Sequence, residues 1–432
     1  MKKKIVKILL LITLLVGSVY ASKGQISISE LNGRVNTITS AVPFLMITPD
    51  SRAGGMGDMG VASSPDANSM YWNAAKYSMI DDEFGVSISY TPWLRALIPD
   101  ISLTYLSVYK KLSNNQVIAA SLRYFSLGDI TFTDFNGQKL RDFQPNEFSF
   151  DVSYSMLFTK GFSGGIAMRY IYSNLTGGIY SNNVATHPGH AVAGDISLYY
   201  TKDIKVAKKK SNMSFGMNIS NIGNKISYTD DSESNFLPTN LRLGGTFTHE
   251  FDEYNKLTFG MDFNKLLIPT PPVYDGQGTS PDNIIAGMDP NVSVPVGMWQ
   301  SFYDAPGGAT EEFREINIGT GLEYWYNQRF ALRTGYFYEH ETKGNRKYFT
   351  VGLGLKLNVF QLDFAYLITT QQRNPLENTL RFSLLFGLSD FKNTESTGTL
   401  TLVKYPASLT NMDTLSPDCA ALSANNPCAM VA

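Results

Sequence analysis

Four histidines, two cysteines and two adjacent serines are the first candidates for chemistry in this 432-residue sequence. His187 and His190 stand three apart, a spacing that pairs metal ligands on a helix but not in the Gly-, Pro- and Asn-rich loop they occupy. His249 and His340 lie near strand ends with no ligand-like neighbour, so no metal site is expected. Ser63 and Ser64 have no histidine close in sequence, and the G-x-S-x-G pattern of a nucleophile elbow is absent. A triad assembled in space from separate strands is the one catalytic route left open; the expectation is that the protein is not an enzyme and uses no cofactor. Cys419 and Cys428 sit in an exported tail and are expected to pair with each other rather than to hold a metal. Beyond the Lys2–Lys4 start, Lys208, Lys209 and Lys210 form the one dense charge run. It reads as a solvated turn, with a site for anionic lipid or an acidic partner as the alternative.

The elements that carry these residues point to a membrane. Met1–Lys4 is a basic start, Ile5–Val16 is almost wholly apolar, and Val19-Tyr20-Ala21 is a small-residue cleavage site, which together predict a secretory signal peptide over residues 1–21. No later stretch reaches the roughly 20 apolar residues of a transmembrane helix. A chain that enters the membrane must then do so as a closed barrel, because in lipid only helices and barrels satisfy their own backbone polar groups. Composition agrees: 12% of residues are aromatic and 17% charged, against about a quarter charged in an ordinary soluble chain. A formal net charge of -2 gives nucleic acid no purchase.

From Phe84 onward the hydrophobic period is two. Phe148, Phe150, Val152, Tyr154, Met156 and Phe158 alternate with Ser149, Asp151, Ser153 and Ser155, so one face suits lipid and the other water. Fourteen such runs can be counted, from Phe84–Thr91 to Leu376–Leu388, including Asp100–Lys111, Asn146–Thr159, Glu312–Tyr326 and Val359–Thr370. The connections between them alternate between tight turns and long loops. Short periplasmic turns and long outer loops are the rule in outer-membrane barrels, and an even strand count puts both termini in the periplasm. The predicted fold is therefore all-β, an antiparallel transmembrane barrel of about fourteen strands spanning residues 81–388. An N-terminal segment, 22–80, precedes it, and a tail, 389–432, follows as either a flexible periplasmic extension or a docking segment.

Within the N-terminal segment, residues 41–75 read AVPFLMITPDSRAGGMGDMGVASSPDANSMYWNAA. That is too apolar for a linker and too rich in Gly, Asp, Asn and Pro for a strand. Gly54, Gly55, Gly57 and Gly60 supply backbone freedom, Asp50, Asp58, Asp66 and Asn68 offer side chains that close local turns, and Trp72-Asn73 forms the aromatic-Asn step that follows. A segment of this kind folds compactly only when something encloses it, so it is expected to fill the lumen as a hatch. GGMGDMGVASSPDA followed by YWNAA resembles the hatch of the FadL-type outer-membrane barrels, with Ala74 where that family usually has proline. The closer resemblance is to one branch of them, the PorV family of type IX secretion. It is carried by AVPFLMITPDSRAGGMGDMGVA, SYTPWLR, SLRYFSLGDITFT, PNEFSFDVSYS, NISNIGNKISY, LPTNLRLG, DFNKLLIPTPP, FYDAPGG, GNRKYFTVGLG and NPLENTLRFSL. The sequence departs from that pattern in the middle of the fifth outer loop and in the tail.

That resemblance implies a cell-outer-membrane protein that receives cargo from a large type IX translocon barrel. It would bind the folded C-terminal signal domain and carry the cargo to a sortase-like attachment complex, which links it to surface lipopolysaccharide. It implies a binding shuttle without catalysis; a FadL-like transporter of hydrophobic small molecules is the alternative. From the residues themselves, the contact sites of a rigid barrel must project from the membrane. Trp93, Leu94 and Arg95 stand between two prolines in the first outer loop, and Trp299, Phe302 and Tyr303 in the fifth, Leu266–Glu312. An exposed aromatic at a loop apex is costly unless a partner covers it; for Trp93 a place in the membrane-interface girdle is the competing reading.

Overall fold

The computed structural model describes residues 35–388, apart from 96–97, 99, 134–135, 179, 182–183, 230–233, 277 and 371–374. The signal peptide, the start of the N-terminal segment, and the tail with Cys419 and Cys428 lie outside the described residues. Among the described residues no helix is long and apolar enough to cross a membrane.

Fourteen strands close into a barrel in which each strand pairs with its sequence neighbour and the last with the first. In chain order they are β1 Phe84–Pro92, β2 Ser102–Ser113, β3 Gln116–Ser126, β4 Asn146–Thr159, β5 Phe162–Asn174, β6 Gly189–Val206 and β7 Lys209–Gly223, then β8 Asn240–Glu250, β9 Asn255–Leu266, β10 Asn317–Tyr326, β11 Phe330–Tyr338, β12 Lys347–Leu357, β13 Phe360–Thr369 and β14 Leu380–Gly387. Val86 sits opposite Phe386, and this β1–β14 ladder leaves the barrel itself without a sheet edge. All fourteen expected runs appear as strands. Two local expectations do not hold. Glu312–Arg314 belongs to a helix, so β10 begins at Asn317. The turn after β6 is only Ala207-Lys208, both at positive φ, so Lys209 and Lys210 lie on β7 rather than in a loop.

Alternation works as the period requires, with one difference. On β4, Phe150, Val152 and Tyr154 face outward and exposed, while Ser149, Asp151, Ser153 and Ser155 point inward. The inward side is not wet; it is buried under the N-terminal segment. That segment runs through the lumen as a 3-10 turn (Pro43–Met46), helix α1 (Ser51–Gly54), helix α2 (Ser69–Trp72) and a second 3-10 stretch (Ala74–Met79). Asp50 caps α1 by accepting the Ala53 N–H at 2.9 Å. The upper part packs Val42, Phe44 and Leu45 against Leu103, Phe125, Ile171 and Leu237. The lower part packs Met70, Tyr77 and Ile80 against Tyr109, Val117 and Leu385.

The ends of the barrel and the start of the hatch lie at opposite mouths. The two ends of the barrel, Phe84 and Gly387, lie together on the side of the short turns. The hatch, however, climbs back through the lumen ahead of β1. The described chain therefore begins at the opposite mouth, with Asn36 N–H bonded to Thr342 O in the β11–β12 outer connection at 2.9 Å.

Candidate functional site

The hatch is held by buried charge as well as by packing. Arg52 on α1 reaches β10, with Nη2 and Nε 2.9 and 3.0 Å from the two oxygens of Glu323, and Nη1 2.9 Å from Asp66. Glu323 is shared with Arg333 on β11 at 2.7 Å, and Arg333 passes on to Asp363 on β13 at 2.7 Å. A chain of opposite charges thus runs from the hatch into three strands of the wall, each charge facing its partners with little solvent between them. Asp58 pairs with Arg381 of β14 at 2.9 Å and accepts from the Tyr348 hydroxyl. Asp262 of β9 accepts the N–H groups of Gly60 and Val61 at 2.6 and 2.9 Å. Arg123 of β3 and Arg242 of β8 both stack on the Tyr71 ring, 4.7 and 4.6 Å from its centre, and each donates to a hatch carbonyl. Trp72 donates its Nε1 to Asp50 at 2.7 Å, and Asn73 donates to Val61 O and Leu198 O.

Glycine is required where the hatch backbone meets the wall. Gly57 adopts φ of +70°, and a Cβ there would fall 2.4 Å from Thr320 O. Facing it, a Cβ on Gly335 would fall 2.1 Å from Gly57 N. All eight hatch residues singled out from the sequence, Gly54, Gly55, Gly57, Asp58, Gly60, Asp66, Trp72 and Asn73, are thus in or against this lumen packing. Sequence reasoning missed the wall side of it: Asp262, Glu323, Arg333 and Arg381 read only as inward polar residues of a strand.

Among the described residues, Ser63 is bonded within the hatch. Ser63 Oγ donates to Gly60 O and accepts from Lys76 Nζ at 3.0 Å. Ser211 and His249 touch at 2.8 Å across the β7–β8 ladder, with no carboxylate bonded to the ring. Among the described residues no cluster of His, Cys, Asp or Glu could hold a metal ion.

At the outer mouth the two expected docking loops differ. Trp93 and Leu94 do not stand at an apex. Both are half-buried and turn inward, Trp93 onto the upper hatch core and both onto Phe337, Tyr348, Leu367 and Leu376, while Arg95 stays exposed. Positive φ at Leu94 (51°) bends the loop over the mouth. The fifth loop keeps its aromatics outside. Helix α3 (Val294–Gln300) presents Trp299, 70% exposed, in edge-to-face contact with Phe302 at 6.3 Å, with Tyr303 beside it and also exposed. Helix α4 (Ala309–Arg314) adds Phe313, 74% exposed, which sequence reasoning absorbed into a strand. Gly308 at its start and Glu311 and Glu312 in its first turn were the available helix signals. In strand order the two loops sit on nearly opposite sides of the ring.

Under its exposed aromatics the fifth loop is tightly fixed. Lys265 at the end of β9 bonds Glu312 at 2.9 Å and Glu315 at 2.6 Å, and Lys343 of the β11–β12 connection bonds Glu311 and Glu315. Asp304 accepts the Thr270 N–H at 3.1 Å. Burial, and then the neighbouring Glu312 and Glu315 charges, push the Asp304 carboxyl up to about 7. Burial works the same way on Glu311, but the Lys343 ammonium outweighs it and holds that carboxyl below its ordinary value.

Residues 30–273 match the family model described as type IX secretion system protein PorV. The chain belongs to the PorV family. It is accordingly a type IX secretion outer-membrane protein, and its closed barrel is of the transmembrane type. No curated protein matches it. Among solved structures it is similar to the Pseudomonas putida toluene transporter TodX, at 13% identity over 82% of this chain and 98% of that one, with a TM-score of 0.42. The Ralstonia pickettii toluene transporter TbuX gives 11%, 78%, 96% and 0.39. A Pseudomonas aeruginosa FadL homologue gives 11%, 82%, 99% and 0.40.

Proposed function

We propose that this PorV-family barrel is a cargo shuttle. It takes secreted proteins by their C-terminal signal domains as they leave the large type IX translocon barrel, and delivers them to a sortase-like attachment complex at the lipopolysaccharide-bearing surface. The observation that carries the reading is an exposed aromatic face, Trp299, Phe302, Tyr303 and Phe313, on a fifth outer loop whose base is locked by Lys265 and Lys343. Large aromatics on a rigid base are the residues that dominate protein interfaces, because little conformational entropy is lost when they are covered. Arg95 offers a charged contact across the mouth. Trp93 and Leu94 act through packing, by shaping the first loop.

The alternative, passage of hydrophobic small molecules, calls for an apolar route through the lumen and a break in the wall. The hatch route is crossed by ion pairs. Of the register shifts in the barrel ladders, those at Lys111/Ser113 and Leu157/Thr159 adjoin short turns, and the one at Gly194/Ile196 is backed by Asp195, which bonds Arg169 at 3.1 Å and the Asn221 N–H at 2.8 Å. A cavity at the periplasmic end, lined by Arg52, Asp66, Tyr109, Lys256 and Trp325, measures about 220 Å³, below the roughly 300–1,000 Å³ of ligand pockets. Affinity purification from the outer membrane, followed by mass spectrometry, tests the proposal. A shuttle brings down cargo bearing C-terminal signal domains together with the translocon. Recovery of long-chain amphiphiles with no protein partner would sink it.

A further inference from the structure

The segment ahead of the hatch lies on the outer face. Asn36 donates its backbone N–H to Thr342 O at 2.9 Å, and its Nδ2 to Glu311 Oε1 at 3.0 Å and Pro271 O at 3.3 Å. Ala41 N–H donates to Phe236 O at 2.9 Å. Phe236, Pro271 with Glu311, and Thr342 belong to three different outer connections, β7–β8, β9–β10 and β11–β12. All three sit at the mouth opposite the short turns. Val35, at the end of this run, is 72% exposed.

Glu311 is the carboxylate at the base of α4. It also bonds Lys343 and accepts the Gly307 N–H at 2.7 Å. Asn36 therefore adds a contact from the N-terminal segment to the same group that fixes the aromatic loop. Nothing in the barrel topology demands this course, since a plug could as well enter from the periplasmic side, where β1 begins.

We infer that residues 35–41 form an extracellular strap: the chain reaches the cell surface through its own barrel, and Asn36 clamps the fifth loop in the conformation that presents Trp299 and Phe313. The strap's position stands on these hydrogen bonds alone; its effect on docking rests on the shuttle reading. Segments that bridge several connections cost each of them its freedom, so loss of the Asn36 side chain releases loop five first.

Two measurements separate these claims. In a Cys419→Ser, Cys428→Ser background, Val35→Cys is treated with a membrane-impermeant maleimide on intact cells, beside Glu253→Cys in the short β8–β9 turn. Val35→Cys should label fully before permeabilisation and Glu253→Cys only after it; the reverse for Val35→Cys overturns the inference. An epitope inserted ahead of Val35 gives the same readout should the cysteine variant fail to assemble. Asn36→Ala, checked for a folded barrel by its resistance to SDS, should then raise surface proteolysis within residues 267–316 at least threefold. An unchanged rate removes the clamp. Faster proteolysis with unaltered cargo capture would leave the strap in place and count against the shuttle reading instead.

Discussion

Arg52 and Glu323 meet as a two-pronged ion pair inside the lumen, although 271 residues separate them in the chain. The pair joins the hatch to the wall with Glu323 buried and Arg52 reaching only the edge of the cavity beside the short turns. Its loss leaves an uncompensated charge, which is more damaging than never having had the pair. Glu323→Gln leaves Arg52 with Asp66 and Arg333 with Asp363 as their remaining carboxylates, removes the charge the two arginines share, and is expected to cost about 3–5 kcal/mol. Denaturant unfolding of the barrel in detergent measures it, and a cost under about 1 kcal/mol would mean that water reaches this site.

Gly57→Ala is expected to displace the hatch without harming the barrel ladder. The added methyl is strained by φ of +70° and collides with the Thr320 carbonyl, so the segment from α1 to Gly60 must move. Single-channel conductance in planar bilayers should rise for Gly57→Ala, and more so for deletion of Gly54–Ala75. No conductance change in either would place the plugging group elsewhere.

Trp299→Ala and Trp93→Ala should separate docking from stability. Trp299 touches little of its own chain, so its truncation should leave the melting temperature alone and weaken cargo or translocon capture about thirtyfold, or roughly 2 kcal/mol. Trp93 bridges the hatch core and the tops of β11–β13 together with Leu376 of the β13–β14 connection. Its truncation should cost about 2 kcal/mol of barrel stability with a smaller effect on capture. The opposite pattern would relocate the contacts to the first loop.

Loop five should tighten as the medium becomes acidic. The Asp304 carboxyl is raised from 3.8 to about 7, so the folded loop holds a proton more firmly than the opened one. Stability is therefore gained as pH falls from about 7 towards 4 and lost as pH rises through about 7, by at most about 1.4 kcal/mol per pH unit for one proton. Burial raises the neighbouring Glu312 carboxyl as well, which acts in the same direction. Hydrogen exchange of residues 267–316, corrected for the intrinsic rate, should slow from pH 8 to pH 6. Asp304→Asn, which keeps an acceptor for the Thr270 N–H, should flatten that dependence.

Strand number, closure and the presence of a plug were legible in the sequence alone. Alternation such as Phe148 to Phe158 is a local property: each strand must give one face to lipid, and no distant contact can change which residues are two apart. Gly54 to Gly60 declared an enclosed backbone in the same local way. The partners of that backbone were not legible. Asp262 accepts from Gly60 and Arg333 reads Glu323 and Asp363 only because closure brings their strands to one depth, and the pairing of inward charges depends on register and tilt rather than on spacing. The threading of residues 35–41 to the outer mouth, and the inward fold of Trp93 while Trp299 stays outside, were decided likewise by tertiary structure. Each depends on which of several apolar surfaces lies within reach once the barrel has closed, and a period of two carries no information about that.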